Sequence, residues 1–247
     1  MTYPNRPEFL RNIKENISQH SYHVTVVQQH LVPRYAYTIG LSERYDLELI
    51  VAGCYIYSLD DILNIIKVAQ ASLPYETNDL SITVDNLGSF SLRTVHPTWL
   101  APMLLGALDY YKRSTLKAIQ IVPDYSHSTI DVPDLNTPWN PSTEPAWKWL
   151  KDEWDLPIPA TSSATTNLAA LFGYPVTEAS RWESDEWELF AGPGPDVTPE
   201  DMRIVPLGTL LGADPSLSAV VRLQVGCSIW RESVNSKWKD WTASSGG

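Results

Sequence analysis

Two cysteines in 247 residues, Cys54 and Cys227, are too few and too far apart to frame a disulfide scaffold. No Cys or His ligand spacing surrounds either, so both are expected to be reduced thiols acting as small buried hydrophobes. Long apolar runs are missing too. Without a stretch of 18 apolar residues no transmembrane helix can be drawn, and no membrane partner is expected. The opening MTYPNRPEFLRN has no apolar core of the kind a secretory signal needs, which predicts a cytoplasmic protein. Positive charge is scarce: 18 Lys and Arg face 29 Asp and Glu, for a net charge of −11. A nucleic-acid binder presents a basic face, so nucleic acid is not an expected partner. Acidity serves solubility in many proteins, and it also complements a basic protein partner by accelerating encounter.

Catalytic signatures are lacking as well. There is no Walker A loop, no H-E-x-x-H, no G-x-S-x-G and no G-x-G-x-x-G, and no cofactor is expected. Gly192-Pro193-Gly194-Pro195 is glycine-rich, but its two prolines remove the amide donors a phosphate cradle needs, so it reads as a turn. Asp124, His127 and Asp131, in PDYSHSTID, are the best candidate metal ligands. A metal-dependent hydrolase would need that loop to fold so that they converge. Their context reads as a solvated loop, and no metal is the primary expectation. His20, His23, His30 and His96 read as surface, capping or strand-end residues.

What is present is a globular composition, 43% hydrophobic and 19% charged, long enough for two modest domains. PEFLRNIKENISQH puts Phe9, Leu10, Ile13 and Ile17 on one helical face. YHVTVVQQ, YAYTIGL and ELIVAG are rich in β-branched and aromatic residues and read as strands. SLDDILNIIKVAQASL returns to helical spacing, with Ser58 as N-cap and Asp61 completing a capping-box variant. LSITVDNLGSFSLRTV reads as a hairpin around Asp85–Gly88, HPTWLAPMLLGALDYYKR as a helix and KAIQIV as a strand. The proline-rich stretch from Pro123 to Pro145 reads as an ordered irregular loop, and WKWLKDEWDL as a short helix closing the first half.

Leu156–Asn167, with Pro157, Pro159 and a run of small polar residues, has the chemistry of a linker. The expected organisation is an α+β domain over 1–155, a linker over 156–167 and a small acidic α+β domain over 168–247. Each domain should carry a mainly antiparallel sheet packed with helices. Later strands are expected around Tyr174–Thr177, Glu186–Phe190, Arg203–Val205 and CSIWRE, with short helical pieces broken at Asp214-Pro215. Residues 151–247 hold 7 Lys and Arg against 14 Asp and Glu, the more acidic portion. Its densest run is Glu183, Asp185, Glu186 and Glu188, and Asp196, Glu200 and Asp201 follow. Strand alternation over 186–190 should turn Glu186 and Glu188 outward over buried Trp187 and Leu189. These seven carboxylates are the candidate contacts for a basic partner. Ten Trp and twelve Tyr against four Phe supply anchors for core, loops or binding surfaces.

Two family resemblances follow from particular residues. Tyr37-Thr38-Ile39-Gly40-Leu41, Glu48-Leu49-Ile50-Val51 with Gly53, Gln120-Ile121-Val122-Pro123-Asp124 and Pro138-Trp139 resemble the domain-of-unknown-function 4262 family. Asp185–Gly192, Ile204–Leu207, Leu210-Leu211, Asp214–Leu217 and Gly226 resemble the immunity-associated domain-of-unknown-function 2185 group. The second resemblance implies an immunity protein that binds and neutralises a cognate secreted antibacterial toxin. Acidity suggests a nuclease as the toxin, with a type VI secretion system as its route. The alternatives are a metal-dependent hydrolase and a ligand-binding regulatory module.

Overall fold

The computed structural model describes residues 6–75 and 81–241, and the chain divides into two units, each built on a six-stranded sheet. The first holds the residues up to Gln28, with Arg34–Ser128 and Val132–Asn140. The second holds Gln29–Pro33, Thr129–Asp131 and the chain from Pro141 onward. The α+β expectation holds in both.

In the first unit α1 (Arg6–His20) precedes β1 (His23–Val27), β2 (Tyr35–Ile39), α2 (Ser42–Tyr45), β3 (Glu48–Ala52) and α3 (Leu59–Ala71). A hairpin of β4 (Ser81–Val84) and β5 (Gly88–Thr94) follows, then α4 (Leu100–Met103), α5 (Leu105–Tyr111) and β6 (Ala118–Pro123). Leu80, read as the hairpin's first residue, lies outside the described residues. The strand order is β1-β2-β3-β6-β5-β4, and every neighbouring pair is antiparallel except β3 with β6. All five residues of β2 and of β3 are buried, as a strand covered on both faces requires. On one side Ile62, Ile65, Ile66 and Ala69 of α3 pack with Ala36, Leu49 and Val51. The capping box that starts α3 forms as expected: Ser58 Oγ accepts from the Asp61 amide at 3.1 Å, and Asp61 Oδ2 accepts from the Ser58 amide at 2.9 Å. The helix read through HPTWLAPMLLGALDYYKR is instead a 3-10 turn at Pro97–Trp99 followed by α4 and α5. Pro102 accounts for the first boundary, because it has no amide to give the Thr98 carbonyl four residues back, and the chain departs from helical geometry again at Leu104 between α4 and α5.

In the second unit a 3-10 turn at Pro145–Leu150 leads to β7 (Ser163–Asn167), α6 (Leu168–Leu171), β8 (Glu178–Arg181) and β9 (Glu186–Phe190). Then come β10 (Met202–Pro206), α7 (Leu207–Ala213), a 3-10 stretch at Pro215–Arg222, β11 (Cys227–Trp230) and β12 (Lys239–Asp240). The order is β10-β7-β9-β8-β11-β12, antiparallel throughout except β7 with β9. Ala164 and Thr166 of β7 stand beside Trp187 and Leu189 of β9, and all four are buried.

Four expectations need correction here. Part of the expected linker is a central strand: Ser163–Asn167 is β7, paired on both sides. WKWLKDEWDL belongs to the second unit, where Trp147 is fully buried and its Nε1 donates to the Asp131 carbonyl at 2.8 Å. Tyr174–Thr177 is also not a strand, since Pro175 cannot donate to a ladder, and β8 starts at Glu178. Cys54 is buried as expected, whereas Cys227 is exposed; both are free thiols. No helix among the described residues is long and apolar enough to cross a membrane.

Candidate functional site

Alternation along a strand sends successive side chains to opposite faces, and in the second sheet the two faces differ in kind. Trp187 and Leu189 point into the core. On the other face the register sets Glu188 opposite Ser180, and Ser180 opposite Ser228, across three adjacent strands. The two serines share a hydrogen bond of 2.8 Å. Being small, they leave a depression that larger side chains wall. The resulting groove, about 460 Å³, is lined by Glu178, Ser180, Trp182, Glu188, Phe190, Met202, Ser228 and Trp241, with Gly194 and Pro195 at one side. Trp182 and Trp241 are each about half exposed, at 51% and 52%. The glycine-proline turn closes onto the groove through the Gly194 amide, which donates to Glu178 Oε2 at 2.8 Å. A neighbouring depression of about 690 Å³ shares Glu178 and Trp241 and adds Trp230 and Glu232.

Of the seven carboxylates expected to meet a partner, Glu188 lines this groove. Glu186 projects from the same strand face and is exposed. Asp196 is exposed in the 3-10 turn that begins at Gly194, beside the groove's rim. Glu183 and Asp185 lie in the β8–β9 turn, where Arg181 donates to the Glu183 and Ser184 carbonyls. Glu200 and Asp201 occupy the turn before β10, and Thr198 donates to Asp201 at 3.3 Å. Glu178, Trp182, Trp230 and Trp241 were not singled out in the sequence. The alternation Glu178, Ser180, Trp182 was the available signal, obscured because the strand was expected to end at Thr177.

The metal candidates do not assemble. Asp124 and His127 meet, with Nδ1 at 2.8 Å from Asp124 Oδ1, but Asp131 lies fully buried in the second unit. Among the described residues no three His, Cys, Asp or Glu side chains come together to hold a metal ion. Asp124 instead caps the Tyr125–His127 turn: it accepts from the Ser126 amide and hydroxyl at 3.0 and 2.6 Å and from the Ser89 amide at 3.1 Å. The Ser126 hydroxyl, then His127, hold its carboxyl well below the usual carboxylate range. A depressed folded value gives a contribution to stability that is present above the ordinary value of 3.8 and lost as pH falls through the folded value. Asp124→Asn should therefore be modestly less stable than the parent at pH 7. That gap should close as denaturation midpoints are followed from pH 4 downward. The group is a third exposed, which keeps the effect small.

The residues that carried the first resemblance converge on one buried carboxylate. Glu48, 0% exposed at the start of β3, accepts from the Thr38 hydroxyl at 2.6 Å and from the Gly40 and Ser42 amides at 3.1 and 2.9 Å. The Tyr111 hydroxyl of α5 donates to it at 2.6 Å. Burial pushes the Glu48 carboxyl upward, while its hydrogen bonds from Thr38, Tyr111 and Ser42 pull the other way. Burial also raises the Tyr111 phenol, and the facing carboxylate adds to that. With no exposed atom at its centre, this cluster ties YTIGL to ELIV and holds α5 on the sheet.

Fold and surface thus define a two-unit α+β protein with a buried carboxylate hub in one unit and an aromatic, acidic groove in the other. Residues 16–128 match the family model described as "Domain of unknown function (DUF4262)", less than half of the chain. No curated protein and no solved structure matches the chain.

Proposed function

We propose that the protein acts by binding another protein, as an immunity protein that captures and neutralises a cognate antibacterial toxin through the open face of its second sheet. The observation that carries the binding reading is that face: half-exposed Trp182 and Trp241 flank a groove that also holds Glu178 and Glu188. Exposed aromatic groups in a recess, rimmed by polar ones, are what protein-binding surfaces use as anchors. The immunity role rests on the resemblance carried by residues 185–226, and the acidity of the chain favours a basic toxin such as a nuclease. Delivery by a type VI secretion system and action of this protein in the cytoplasm complete the reading. Inhibition by capture requires complementarity rather than chemistry.

The test is to co-express the chain with the toxin encoded beside its gene. A one-to-one complex that protects susceptible cells, with association slowing as salt rises, is the expected result. Neither complex nor protection would end the proposal.

A further inference from the structure

We infer that the groove between Trp182 and Trp241 is a seat for one arginine side chain carried on an extended segment of the partner protein. This deepens the binding reading and rests on it for the partner being a protein. The lining contains two carboxylates, Glu178 and Glu188, and no basic side chain. Among the described residues the Glu188 carboxylate has no hydrogen-bond or ion-pair partner, and that of Glu178 engages a single backbone amide, that of Gly194. Two carboxylates set on adjacent strands among Trp182, Phe190 and Trp241 leave negative charge without compensation inside an aromatic recess. A cation is the complement, and aromatic walls favour an organic one. A guanidinium fits best, because its flat face stacks on indole while its edge donates to carboxylates.

The adjoining depression shows the same chemistry already satisfied from within the chain. Arg231 lines that depression, and Lys239, which meets two of its lining residues, sets Nζ 4.7 Å from the Trp230 ring centroid and 2.7 Å from Glu232 Oε1. Trp230 in turn meets Trp241 edge to face, with centroids 6.4 Å apart. The chain therefore supplies a base to one of two neighbouring aromatic and acidic recesses and leaves the other, of about 460 Å³, without one. The serine floor gives a side chain from above room to enter. Strand-face residues flanking it leave the partner's backbone outside, so the incoming segment has to be extended enough to project one side chain.

The experiment titrates the full-length protein with the blocked peptide Gly-Ala-Arg-Ala-Gly and with its citrulline counterpart, following the indole resonances by NMR. The arginine peptide should shift the Trp182 and Trp241 signals saturably. The citrulline peptide, neutral but of the same shape, should bind at least about tenfold more weakly. Glu178→Gln combined with Glu188→Gln should weaken the arginine peptide by a similar factor, with circular dichroism confirming an unchanged fold. Unshifted indole signals, equal affinity for citrulline, or full affinity in the double variant would each overturn the inference. Toxin capture by a double variant that no longer binds the peptide would overturn it while leaving the immunity reading standing. Peptide binding without toxin protection would do the reverse.

Discussion

Replacing Glu48 with alanine should cost the protein about 3–5 kcal/mol, a large share of what holds a domain together. The carboxylate is the shared acceptor for two hydroxyls and two backbone amides, and Glu48 and Thr38 are both 0% exposed while Tyr111 is partly buried. Removing it strands the Ser42 amide and leaves the Thr38 and Tyr111 hydroxyls without their acceptor, while the Gly40 amide keeps the Tyr111 oxygen, to which it also donates at 2.5 Å. Hydroxyls can turn, so part of the loss is recoverable. Thr38 already accepts from the Leu49 amide at 2.8 Å, which limits that freedom. Glu48→Gln should be milder, at about 1–2 kcal/mol, because one oxygen remains and the new amide group can donate to a rotated hydroxyl. The measurement is urea denaturation together with hydrogen exchange at the Ser42 and Leu49 amides. An alanine variant within about 1 kcal/mol of the parent would mean that burial of the charge cancels its hydrogen bonds.

The same hub shows what local sequence can reveal. The strands YAYTIGL and ELIVAG were readable because β-branched and aromatic residues crowd them, and the α3 cap was readable because Ser58 and Asp61 stand three apart. That Glu48, at the head of an apolar run, is a fully buried acid was not readable. Its donors come from Thr38, Gly40 and Ser42 nearby but also from Tyr111, 63 residues on.

The expected linker failed for a related reason. Ser163–Asn167 is polar in composition, yet Thr166 donates its hydroxyl to the Leu189 carbonyl at 2.6 Å. Asn167 bridges to both backbone groups of Ala191 and caps α6 through the Ala170 amide. Small polar side chains that satisfy themselves on neighbouring backbone sit comfortably in a central strand, and composition alone cannot distinguish them from solvated ones. The groove was hidden more deeply. Its floor exists only once β8 pairs with β11, which sets Ser180 against Ser228, 48 residues away. Outward-facing Glu188 was correctly expected from alternation, whereas its recess was beyond any local pattern.

Gly212→Ala should destabilise the protein by about 1–3 kcal/mol, the opposite of what helix propensity predicts. In an exposed helix the change gains about 1 kcal/mol, because alanine gives up less backbone freedom on folding. In α7, however, Gly208 and Gly212 stand four apart on one face, where the Pro145–Leu150 turn lies against the helix. A methyl group at 212 would collide with the Pro145 carbonyl oxygen and reach 2.9 Å from its carbon, so backbone would have to move. Gly208→Ala should cost less, since its methyl meets side chains, the Trp149 indole at 2.8 Å and the Trp154 ring at 3.1 Å, rather than backbone. Thermal denaturation of the two variants therefore ranks them, with Gly212→Ala the less stable. A stabilised Gly212→Ala would mean that the turn yields freely. The expected loss instead makes the turn a fixed part of the second unit. Pro145 and Trp149, read from the sequence as part of the first half of the chain, are then seated on two glycines more than 55 residues downstream.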